Sequence, residues 1–156
     1  MMATDTSESQ ARAQLESVVE MVKRLEHAQE CDGDPDDCQL NNEDMGEAAT
    51  ESRGDVLTDY HDADSARQAI FEDPLAVEYR SGWYSPGSEP EAEEFRILLC
   101  TGGPAVQIVG ELGQFNAPAY VRLEHQDWFT PWTELVDITD AEREALQSYC
   151  EQFIGI

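Results

Sequence analysis

Basic residues are scarce in this chain. Lys23 is its only lysine, and lysine and arginine together number 9 against 34 acidic residues, a formal net charge of −25. The acidic excess runs through both halves rather than sitting in one tail. Such a field repels phosphate backbones and anionic membranes and attracts basic protein surfaces. Direct nucleic-acid binding and membrane binding are therefore not expected. Long apolar runs are missing too: no stretch reaches membrane-spanning length, and no signal peptide is evident. Cysteine is limited to Cys31, Cys38, Cys100 and Cys150. The simplest expectation is a reducing cytoplasm, with Cys100 and Cys150 as buried free thiols.

Signatures of catalysis are equally thin. His27, His61 and His125 have no Gly-x-Ser-x-Gly nucleophile motif near them. Thr101-Gly102-Gly103-Pro104 lacks the lysine of a phosphate loop, and Pro104 removes an amide donor. His125 beside Asp127 can orient a general base, but histidine–carboxylate neighbours arise readily in so acidic a chain. No enzymatic activity, cofactor or metal is expected. Two metal alternatives compete with a solvated acidic loop. Asp32, Asp34, Asp36 and Glu43 match positions one, three, five and twelve of a calcium-binding loop, but Asp37 stands where the turn needs glycine, and Pro35 is awkward. Zinc can be drawn through His27, Cys31, Cys38 and His61, yet Cys-x6-Cys is wider than the usual knuckle.

What is present is a foldable pattern, with hydrophobic residues at 40%. The stretch Glu94–Trp132 organises it. Phe95, Ile97 and Leu99 share one face, Val106 and Ile108 another, and Val121 and Leu123 oppose Tyr120, Arg122 and Glu124. Breaks at Gly102-Gly103-Pro104 and at Gly113–Pro118 separate these runs. Period two with one oily face predicts an antiparallel meander that needs a cover. Leu75, Val77 and Tyr79 predict one more strand, ending at Ser81-Gly82, before an acidic connection over residues 85–94.

Helical patterns supply the cover. Leu15, Val18, Val19, Val22 and Leu25 predict a helix from about Glu8 to about Glu30, capped by Ser7 with Gln10. Residues 31–54 read as an acidic loop. Asp62–Glu72 predicts a second helix with Ala63, Ala66, Ile70 and Phe71 inward and Pro74 as its stop. Thr139 and Glu142 form a capping box ahead of the stripe Leu146, Tyr149, Cys150, Phe153 and Ile154. The expected fold is a single α+β domain over residues 1–156, a mainly antiparallel four-stranded sheet in the order α-α-β-β-β-β-α.

The charge needs a cause. Duplex DNA carries one charge per about 1.7 Å, so about 40 Å of it bears about two dozen charges. A domain of this length is itself about 40 Å across. In size, charge and lack of catalytic chemistry the chain resembles the DNA-mimic anti-defence proteins of phages and plasmids, which include antirestriction and some anti-CRISPR proteins. Cys100-Thr-Gly-Gly-Pro-Ala and Gln126-Asp-Trp-Phe-Thr-Pro-Trp-Thr-Glu also look like small accessory proteins of mobile elements. The resemblance implies a non-enzymatic inhibitor whose partner is a basic nucleic-acid-binding protein or defence complex in the host cytoplasm. The acidic clusters expected to stand in for phosphates are Asp32, Asp34, Asp36 and Asp37; Asp59, Asp62 and Asp64; and Glu89, Glu91, Glu93 and Glu94. Trp128 and Trp132 either cap the end of the sheet or anchor a partner's arginines through cation–π contact. The alternatives are an immunity protein or antitoxin covering a basic toxin, and an acidic cytoplasmic protein suited to high salt.

Overall fold

The alternating runs form a sheet because each exposes one continuous apolar face, and the helical stripes have the matching width to cover it. The structure is a computed structural model that describes residues 6–31 and 62–154. Its elements, in chain order, are helix α1 (Thr6–Cys31), helix α2 (Ala63–Glu72), strands β1 (Ala76–Ser81), β2 (Ala92–Cys100) and β3 (Ala105–Leu112), a 3₁₀ turn at Gln114–Asn116, strands β4 (Pro118–Gln126) and β5 (Thr133–Glu134), and helix α3 (Asp140–Glu151). The fold is α+β. The five strands form one antiparallel sheet in the order β1-β2-β3-β4-β5.

That sheet has one strand more than the four expected. Thr133 and Glu134 pair with His125 and Glu124. Two residues behind a proline are too short to show period two, so β5 leaves no pattern in the sequence. The first helix also starts earlier than expected. Ser7 lies inside it rather than capping it, and its hydroxyl is engaged elsewhere in the fold.

The core lies between the sheet and the helices. Phe95, Ile97, Leu99, Val106, Ile108, Val121 and Leu123 supply the sheet side, and all are buried. Ala11, Leu15, Val18, Val22 and Leu25 face them from α1, with Ala66 and Ile70 from α2 and Ala145, Leu146, Tyr149 and Cys150 from α3. Helix α1 lies between α2 and α3 and over β3 and β4. Phe71 is less inward than expected: it is 44% exposed at the rim, meeting Phe153 edge-on.

Local signals behave as the sequence implies. Asp62 caps α2 by accepting from the Asp64 amide. Thr139 and Glu142 complete a reciprocal capping box on α3. One device leaves no local signal. A register shift opposite Gly110 places Tyr120 at φ 52°, a bulge that leaves no room for a side chain at position 110. A Cβ there would come within 2.7 Å of the Phe95 ring and 2.8 Å of the Ala119 carbonyl.

Burial raises the Cys150 thiol well above its ordinary 9.0. It also raises the Tyr149 phenol above its ordinary 10.0, helped by the 2.6 Å bond its hydroxyl donates to Asp73. Cys100, half-buried rather than fully buried, is shifted upward by the same desolvation. Both core groups stay neutral in the fold after the unfolded chain has begun to release their protons. Their stabilisation is therefore complete below about pH 9 and declines as pH rises above it. Denaturant titrations should lose about 1–2 kcal/mol between pH 7 and pH 10.5 from Cys150 alone. Cys150→Ala should flatten that decline, and an equally steep decline in the variant would contradict the assignment.

Candidate partner-binding surfaces

The covered sheet leaves one face open, and its chemistry follows from the register. Residues of even number on β1 and β2 meet across the strands: Arg80 faces Glu94 and Glu78 faces Arg96. Both are ion pairs, the second at 2.7 Å. On β4, Arg122 Nε donates to Glu124 at 3.2 Å. Gln107 donates to the other oxygen of Glu124 at 2.8 Å. These side chains, with Val109 and Trp132, line a groove of about 470 Å³. Gln107 is 5% exposed, and its Oε1 is buried without a donor among the described residues.

The open sheet face is thus acidic in composition but locally compensated. Opposed side chains on neighbouring strands sit about 5 Å apart, where like charges repel and opposite charges gain. The three arginines of the sheet stand where carboxylates would otherwise crowd.

The helical layer behaves differently. On the solvent side of α1 stand Glu16, Glu20, Glu26 and Glu30, all exposed, with Lys23 among them. Helix α3 turns Asp140, Glu144 and Glu151 outward. None of these carboxylates forms an ion pair among the described residues. Ion pairs thus hold Glu78, Glu94 and Glu124 on the sheet and Glu8 and Asp64 on the helices, while these outward carboxylates of α1 and α3 stay solvated.

Several of the sequence-predicted residues divide along the same line. Asp62 is the cap of α2 and also accepts from the Ser65 hydroxyl at 2.9 Å, while Asp64 pairs with Arg67 at 3.3 Å. Glu94 belongs to the paired sheet face through Arg80. Glu89 and Glu91 are exposed in the connection before β2, and the Glu93 carboxylate lies against Gly82. Asp32, Asp34, Asp36, Asp37 and Asp59 lie outside the described residues, as do Glu43, Cys38 and His61 of the metal alternatives. Among the described residues, no three of His, Cys, Asp and Glu group as metal ligands. No described helix is long and apolar enough to cross a membrane.

The two tryptophans part company. Trp128 is 68% exposed, its indole over Gly103, and Phe129 beside it is fully exposed at φ 65°. Trp132 is half-buried on the open face of the sheet, at the groove. At the opposite end of the sheet Trp83 and Phe115 are also fully exposed. The aromatic signal at Trp128–Trp132 is legible in the sequence, but its division between a rim and a groove is not.

Sequence reasoning missed Ser7 as a partner of His125 and Asp127. Its hydroxyl lies 2.9 Å from His125 Nδ1 and donates to Asp127 Oδ2 at 2.8 Å. Serine, histidine and aspartate together suggest a nucleophilic triad, but here the carboxylate contacts the serine. In a triad it would orient the imidazole. Ser7 is also 4% exposed. The cluster instead fastens the start of α1 to the end of β4, and Arg12 adds a bond to the Val136 carbonyl at 3.1 Å. Ser7→Ala should cost about 1–2 kcal/mol, read as a lowered thermal midpoint. A fluorophosphonate probe should leave Ser7 unlabelled; stoichiometric labelling would make it a nucleophile. No protein-family model, curated protein or solved structure matches this chain.

Proposed function

We propose that the protein is a non-enzymatic acidic inhibitor that occupies the basic nucleic-acid-binding surface of a bacterial defence complex, with the helical layer as its principal contact face. The observation that carries this reading is the set of solvated carboxylates on α1 and α3. Glu94, Glu78 and Glu124 on the sheet are held by Arg80, Arg96 and Arg122, whereas Glu16, Glu20, Glu144 and Glu151 are exposed and form no ion pair among the described residues. A partner's arginines gain most from carboxylates that have no intramolecular cation to lose.

Magnitudes set the footprint. At 1.5 Å per residue, Glu16 and Glu30 are about 21 Å apart along α1. One helix therefore falls severalfold short of a duplex, with its charge per about 1.7 Å. The neighbouring helix α3 and the acidic connection at Glu89, Glu91 and Glu93 must contribute for the match to be close. An immunity protein covering a basic toxin is the second reading, favoured by the exposed Trp128 and Phe129 as an aromatic anchor.

The test begins with capture from a bacterial lysate at low and at high salt. Capture of a nucleic-acid-binding protein that is lost as salt rises is the expected result. Replacing Glu16, Glu20, Glu144 and Glu151 with glutamine should weaken that complex about tenfold or more, mainly through slower association. It should leave the fold intact. If Trp128→Ala abolishes binding while the glutamine variant binds normally, the toxin-type anchor replaces the charge mimic.

A further inference from the structure

The edge strand β1 combines three features that belong together. First, β1 pairs only with β2 among the described residues, and its other edge has no strand partner among them. Second, the helices lie over β3 and β4, so the apolar side of β1 is left outside the core. Val77 is 38% exposed and Tyr79 54%, with Leu75 just ahead of them at 60%. Third, the opposite side carries Glu78 and Arg80, charges of opposite sign two residues apart.

An exposed edge is usually blunted by charge, because a strand of one sign repels its own copy. Here the two signs make the strand complementary to itself. We propose that β1 pairs antiparallel with β1 of a second copy about a twofold axis at Tyr79, joining the two sheets into one. In that register Glu78 faces Arg80 of the second copy, and Arg80 faces Glu78. Each cross-strand row then runs Arg96, Glu78, Arg80 of the second copy, Glu94 of the second copy. Signs alternate along these four positions, continuing the pairs already present within each chain, before Glu94 meets Glu111 on β3. On the other side Tyr79 meets its own copy, and Val77 and Leu75 gain apolar cover from the joined edge. The contact is isologous and closed, so it stops at two copies.

The net charge sets the conditions. Two chains at −25 each repel over long range. That repulsion is screened beyond about 8 Å at physiological salt, while the β ladder and its apolar side are not. Self-pairing should therefore strengthen as salt rises, opposite in sign to the partner binding proposed above. The inference does not rest on that function, and each can fail alone.

Sedimentation of the full chain across protein concentration and salt reads the outcome directly. The expected result is a monomer–dimer equilibrium whose dimer fraction rises from low to high salt. Glu78→Arg and Arg80→Glu each reverse one member of both symmetric contacts, so either variant alone should raise the dimer dissociation constant about tenfold or more. The first variant carries two positive charges on this side of β1, and the second carries two negative ones. Mixed together, they set opposite charges against each other in both contacts, and heterodimer should return to near the parental affinity. Circular dichroism establishes that each variant is folded before mixing. A monomer at all salts, a dimer indifferent to either substitution, or a mixture no better than its components would each overturn the proposal.

Discussion

Burial of a single oily sheet face beneath α1 is the constraint on which the rest depends. This helix packs on both other described helices and on strands β3 and β4, so removing it would expose the middle of the core. Its seat is fixed in two ways. Leu15, Val18, Val22 and Leu25 press on the sheet, and Ser7 ties the helix start to His125 and Asp127. The apolar contacts supply most of the free energy, while the hydrogen bonds choose one docking over its neighbours. With one face consumed by the helices, everything polar on the sheet must stand on the other.

That division determines how a chain at −25 folds at all. Strand neighbours hold their side chains close, so unrelieved carboxylates on the open face would repel across every row. Arg80, Arg96 and Arg122 relieve Glu94, Glu78 and Glu124, which otherwise face Glu111 and Glu134 or stand alone, and their fork-shaped donors suit carboxylates better than lysine would. On the helices, successive outward positions are farther apart and bathed in water, so their carboxylates can remain unpaired at modest cost. The outward faces of α1 and α3 therefore keep a field that can act on a partner, while much of the sheet's charge is taken up in pairs. The same spacing rule that stabilises the sheet makes the edge strand complementary to its own copy.

Much of this is legible from the residues. Alternation from Phe95 to Leu123 identifies the central strands, and the box at Thr139 and Glu142 marks the start of α3, because both signals lie within a few residues of sequence. What is not legible depends on distant parts of the chain meeting. Ser7 reads as a cap until β4 brings His125 to it across 118 residues. The pairing of Glu78 with Arg96 needs the register, which no local pattern states. The alternation of Leu75, Val77 and Tyr79 marks a strand, but its place at the edge, which leaves Tyr79 exposed, is not in that pattern. Candidate surfaces are legible in composition, since acidity and aromatic residues are plain; their partition between paired and unpaired carboxylates is not.

The central claim is that unpaired carboxylates on the helical layer occupy a surface otherwise held by phosphates. A competition titration tests it most directly: a captured partner is loaded with fluorescent duplex DNA and titrated with the protein at fixed salt. The account predicts complete displacement, with an apparent affinity for DNA that falls in proportion to added protein. A ternary complex, in which the partner holds DNA and protein together at undiminished affinity, would contradict it.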